Sequence, residues 1–76
     1  MKEKYKFNFR LLRGRIVAEY GTIEEFSKAC GYSRKIMSEK LNNKSRFNAY
    51  SIMKICETLN IPRDEIGMYF FNKVED

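Results

Sequence analysis

The feature that most restricts this chain is the close spacing of residues that end and begin helices. Gly21 is followed at once by Thr22, Gly31 by Tyr32 and Ser33, and the loop "NNKSRF" by Asn48. Glycine tolerates the left-handed backbone that ends a helix, and the side-chain oxygens of Ser, Thr and Asn accept from the free amides that begin one. A chain punctuated this way folds as short helices, and 76 residues suffice for one domain around one modest core. They leave too little for a catalytic domain plus a regulatory one.

Apolar spacing between the marks gives the faces. Asn8 is positioned to cap a first helix of about Phe9 to Tyr20, with Phe9, Leu12, Ile16 and Tyr20, joined by Val17, turned inward. "TIEE" has the pattern of a capping box between Thr22 and Glu25, and the helix it opens buries Ile23, Phe26, Ser27 and Cys30 before Gly31 ends it. Ser33 caps a third, sparsely apolar segment, "RKIMSEKLNN". Met37 and Leu41 lie one turn apart there, while Arg34, Lys35, Ser38, Glu39 and Asn42 fall on the other side. Asn48 caps a fourth helix with Ala49, Ile52, Met53, Cys56 and Leu59 inward. Pro62 marks a restart that Asp64 and Glu65 favour electrostatically, and the apolar tail "IGMYFF" must pack somewhere. The expectation is an all-α bundle of about five short helices in a single domain over residues 1–76, with two helices around a glycine turn at about 22–42 and a flexible arm over 1–7.

Several function classes lack their raw material. No apolar run approaches the ~20 residues of a membrane span, and "MKEKYKFNF" has no apolar segment of the secretory type, so a soluble cytoplasmic chain is expected. Histidine is absent, which removes the commonest general base and metal ligand. Cys30 and Cys56 are the only cysteines and fit the apolar faces of two helices. They are expected to be buried and unpaired in a reducing compartment. No catalytic residue, metal, cofactor or small-molecule ligand is expected, and the chain does not read as an enzyme.

The net charge of +5 matters less than where it lies. Lys2, Lys4, Lys6, Arg10, Arg13 and Arg15 face only Glu3 in the first fifteen residues. Lys28, Arg34, Lys35, Lys40, Lys44 and Arg46 face only Glu39 between positions 28 and 46, and the remaining segments lean acidic. Two basic blocks that a fold can bring onto one face suit a polyanion, nucleic acid first.

From Thr22 to Lys44 the sequence resembles the lambda-repressor-like, or XRE/Cro-type, helix-turn-helix family of phage and bacterial transcription regulators. Phe26 with Ser27, the turn glycine Gly31, the aliphatic Met37, the phrase "LNNK" and the following "FNAYSIMKICETLNIP" carry the likeness, which extends over about Leu11 to Ile66. Ile23 stands where many members have glutamine, so no contact is assigned to it. The resemblance implies a dimer on a palindromic operator in double-stranded DNA, nucleoid-associated and controlled by concentration. Arg34, Lys35, Ser38 and Glu39 would approach the base edges, where arginine and lysine suit guanine and a carboxylate suits cytosine. Thr22, Asn42, Asn43 and Lys44 would meet phosphates, with turn-making an equal role for Asn43.

Tyr69, Phe70 and Phe71 exceed what one helix end buries in so small a core, so some are expected at a dimer contact, a lid on the core being the alternative. A second function competes with DNA binding: a protein-interaction module of antirepressor or antitoxin type on the same fold. A continuous positive face along the third helix favours DNA, and an apolar groove there favours a protein partner. A third, redox chemistry between Cys30 and Cys56, needs adjacent and accessible sulfurs.

Overall fold

The computed structural model describes residues 6–74. They form five helices: α1 Arg10–Tyr20, α2 Ile23–Cys30, α3 Arg34–Leu41, α4 Ala49–Leu59 and α5 Ile66–Phe70, with a 3-10 turn over Arg63–Glu65 leading into α5. The class is the all-α bundle expected from the punctuation. Among the described residues no helix is long and apolar enough to cross a membrane.

The caps explain why the elements start and stop where they do. Thr22 Oγ1 accepts from the Glu25 amide at 3.1 Å, Ser33 Oγ from Ile36 at 3.1 Å and Asn48 Oδ1 from Ser51 at 2.8 Å. Asn8 Oδ1 accepts from Arg10 at 2.8 Å, one residue ahead of the N-cap Phe9 of α1. At the end of α2, Gly31 sits at φ +83°, and the next amide, Tyr32, donates back to Ser27 O at 2.9 Å. Asn60 plays the same part after α4 at φ +57°. Asparagine is the commonest substitute for glycine in this backbone region.

Leu12, Ile16, Phe26, Met37, Ile55 and Leu59 form the fully buried centre. The α2 helix packs against α1, α3 and α4, and α1 also packs against α4 and α5. Two expected inward faces keep their register but lose members. Val17 is exposed, leaving Leu12 and Ile16 as the buried residues of α1. In α4 the buried set is Ser51, Ile55, Cys56 and Leu59, while Met53 and Ala49 face outward. The reason is a reciprocal cap. The Asn48 amide donates to Ser51 Oγ at 2.9 Å, and that hydroxyl donates to Asn48 O at 3.0 Å, so a serine is satisfied while buried and turns its side of the helix inward.

Arg15 is a junction rather than a surface charge. Its Nε donates to Glu19 Oε2 at 2.7 Å, Nη1 to the Tyr69 hydroxyl at 3.0 Å and Nη2 to Leu59 O at 2.9 Å. One guanidinium thus ties α1 to α5 and to the last turn of α4, whose carbonyl end favours a cation. The Tyr69 and Glu19 hydrogen bonds raise its pKa further above its ordinary value.

The tail closes the bundle. Phe9 meets Phe47 edge-on at 5.1 Å, and Phe47 meets Phe70 at 5.2 Å. Phe7 and Lys73 form an antiparallel bridge, flanked by Asn8 N to Asn72 O at 2.6 Å and Val74 N to Lys6 O at 2.8 Å. The expected arm over 1–7 is therefore anchored at Lys6 and Phe7. Its first five residues lie outside the described ones.

Candidate interaction surfaces

The α2–turn–α3 unit holds α3 by Met37 and Leu41 and leaves its other side at the surface. Arg34, Lys35, Ser38, Glu39, Asn42 and Lys44 together line a shallow cleft of about 250 Å³. Arg34, Lys35, Asn42 and Lys44 are exposed, and Ser38 and Glu39 half-buried. The side groups are ordered by one another. Asn42 Nδ2 donates to Ser38 Oγ at 3.3 Å, and Asn42 Oδ1 accepts from Arg13 Nη2 at 2.6 Å. Lys44 reaches the cleft because its amide donates back to Glu39 O at 2.8 Å across the turn that follows the helix.

Arg13 joins the cleft from α1. Twenty-nine positions separate it from Asn42, and the only signal was its membership of the first basic block. Through it the two blocks meet at the end of α3. Among the described residues, none of Arg34, Lys35 and Lys44 is ion-paired, and Lys35 makes no ion pair with Glu39 one turn away. Lys40 is differently placed, its Nζ donating to Arg46 O at 2.7 Å and lying 5.8 Å above the Phe47 ring.

Two expected positions, Thr22 and Asn43, part from the cleft. Thr22 lines no part of it and serves as the exposed cap of α2. Asn43 turns its amide inward: the Phe7 amide donates to Asn43 Oδ1 at 3.0 Å, and Asn43 Nδ2 donates to Phe7 O at 2.8 Å. Its φ of +63° directs the side chain there, and this clamp occupies the amide in place of an outward phosphate contact. Tyr69 and Phe70, expected at a dimer contact, are 8 % and 2 % exposed and belong to the core. Tyr69 is drawn in by Arg15 and Phe70 by Phe47, so the aromatics act as a lid, and Phe71 alone of the three, 58 % exposed, remains at the surface.

Cys30 and Cys56 are buried and free. Burial pushes both thiols up, with Thr58 and the Lys54 cation acting against it at Cys30. Buried thiols held protonated are poor nucleophiles.

Comparison with known proteins gives two findings. Residues 5–73 match a family model described as a protein of unknown function, DUF739. Among solved structures the chain is similar to the modulator of repression (MOR) of the temperate bacteriophage TP901-1 from Lactococcus lactis. The two share 33 % identity at a TM-score of 0.78, over 87 % of this chain and 89 % of that one. No curated protein matches. These findings replace the XRE/Cro-type assignment. A capped helix, a turn glycine and a second capped helix are a local backbone solution that more than one family can use, so the Thr22–Lys44 stretch identified a shape rather than a lineage. The chain belongs to the DUF739 family, whose function is not known.

Proposed function

We propose that this chain is a small, non-catalytic phage-type regulator that acts by binding another protein, a repressor whose activity it modulates. The similarity to a modulator of repression over nearly the whole of both chains carries this reading. The α3 cleft supports it chemically. Arg34, Lys35, Lys44 and Glu39 line one cleft, and among the described residues none of them is ion-paired, so both signs are open to a protein surface that carries their opposites. The test is titration calorimetry between the purified chain and the repressor encoded in the same phage or prophage genome, followed by operator binding of that repressor with and without the chain. Stoichiometric binding and altered operator occupancy are expected. No heat and no co-elution would sink the proposal.

A second reading, binding of duplex DNA by α3, is favoured by one observation: three exposed cations beside Asn42 that have no ion-pair partner among the described residues. It requires the chain alone to enrich a palindrome from a random duplex pool. It also requires affinity to fall ~10³ to 10⁵ between 50 and 200 mM salt, as for ~6 to 10 phosphate contacts. A flat salt response eliminates it.

A further inference from the structure

The residues around the α3 cleft are not balanced in charge. Arg34, Lys35 and Lys44 line it against the single carboxylate of Glu39. Arg13, tied to Asn42, adds a fourth cation at the end of α3, and Arg10 lies one turn before Arg13 on the same side of α1. Arg10 is exposed and, like the three cations of the cleft, has no ion pair among the described residues. The acid–base pairs that do form among the described residues, Arg15 with Glu19 and Lys28 with Glu25, lie on α1 and α2 and use no residue of α3. The excess of positive charge is therefore left for a group outside the chain.

Ile36 sets a second condition on that group. It is 44 % exposed, follows Lys35 directly and precedes Glu39 by one turn, so an apolar side chain borders the charged face. The core takes Met37 and Leu41 from this helix and leaves Ile36 out. An apolar residue ringed by charges has the make-up of a protein interface, where the apolar centre is buried and the rim stays polar. Each exposed ion pair contributes little by itself, so the cations steer and orient a partner while the apolar contact adds hold.

Resting on the protein-binding reading above, we propose that the α3 cleft is the docking site for an acidic segment of the repressor. Its carboxylates lie against Arg34, Lys35 and Lys44, and an aliphatic side chain at its edge packs on Ile36. Glu39 sets the register, because only a segment with a neutral donor or a cation at that one point avoids repulsion there.

The experiment has two arms. In the first, the 15N-labelled chain is titrated with a helical peptide bearing glutamates beside a central leucine, and with versions carrying glutamine for glutamate or alanine for leucine. Amide shifts at Lys35, Ile36, Glu39 and Lys44 are expected with the first peptide, lost with the glutamine version and reached only at tenfold or higher concentration with the alanine version. Shifts elsewhere, none at all, or equal shifts with the glutamine version overturn the acidic occupant. In the second arm, binding of the repressor is compared for wild type, Arg34→Glu, Lys44→Glu, Ile36→Ala and, as a control on α4, Glu57→Lys, with helix content checked for each. The three substitutions at α3 should weaken binding tenfold or more, and Glu57→Lys should leave it unchanged. If the α3 variants bind as wild type does, the cleft is wrong while the proposed function stands. If the charge reversals abolish binding and Ile36→Ala does not alter it, the contact is one that any polyanion can make, duplex DNA included, and the occupant is wrong. If wild type does not bind the repressor at all, the proposed function fails and this assignment fails with it.

Discussion

Arg15 and Arg34 come from the two basic blocks of one sequence, yet the structure gives them opposite fates. Arg15 is consumed by a carboxylate, a hydroxyl and a main-chain carbonyl that three elements bring within 3 Å of it. Arg34, at the first position of a helix whose amide end repels a cation, is exposed and has no ion pair among the described residues. Charge count treats the two alike; the neighbours decide which holds the fold and which is left for something outside. The same division separates Asn43, whose amide is engaged at both ends by Phe7, from Asn42, which orders the rim of the cleft.

The largest effect should come from removing the internal cation. Arg15→Ala leaves the Leu59 carbonyl and the Tyr69 hydroxyl without their donor and should cost about 2 to 3 kcal/mol. For a chain of this size that corresponds to a fall in Tm of roughly 10 °C or more by calorimetry. An unchanged Tm would erase the distinction between the two arginines. Asn43 comes next. Asn43→Ala loses two hydrogen bonds and puts at positive φ a residue without the polar side chain that lets asparagine tolerate it, for about 2 kcal/mol in urea unfolding. Asn43→Gly should recover roughly 1 kcal/mol of that, because glycine removes the backbone strain and not the lost bonds. Equal losses for the two variants would mean that the φ value contributes nothing.

Titration of the buried thiols follows. Their folded pKa values lie above the ordinary thiol value, so their contribution to stability is complete below about pH 8 and is lost as pH rises through the folded values. Both cysteines should resist a disulfide reagent at pH 8 until the chain unfolds. Fast reaction of either one in the native chain would contradict the burial. The smallest effect belongs to the cleft: Arg34→Ala and Lys44→Ala should change stability by less than about 0.5 kcal/mol, as expected for exposed residues. A loss comparable to that of Arg15→Ala would show that α3 depends on these cations for its fold.

What the sequence revealed divides along the same line between local and distant partners. The starts of α2, α3 and α4 were legible because Thr22, Ser33 and Asn48 act on amides only three residues ahead. Arg34, Lys35, Ser38, Glu39, Asn42 and Lys44 were legible as one surface because most of them share a helix face. On α4 the pattern found Cys56, Leu59 and Ile52 but missed Ser51, since an apolar-only criterion passes over a serine that is buried through its own cap. Arg13 at Asn42 and Asn43 at Phe7 depend on contacts across 29 and 36 positions, which no window reads. Lineage was hidden for the opposite reason: the helix-turn-helix spacing is so local that it can recur without kinship.

The pairing of residues 6–8 with 72–74 has a kinetic consequence. It joins positions separated by nearly the whole described chain, and closing a loop of that length costs about 4 kcal/mol of chain entropy before any contact forms. Once α1 has met α4 across 38 to 44 positions, the distance left for the clasp to close is much shorter. The clasp then closes late in folding. By the same accounting it opens first, exposing Phe7 and the aromatic edge behind it while the four longer helices stay packed.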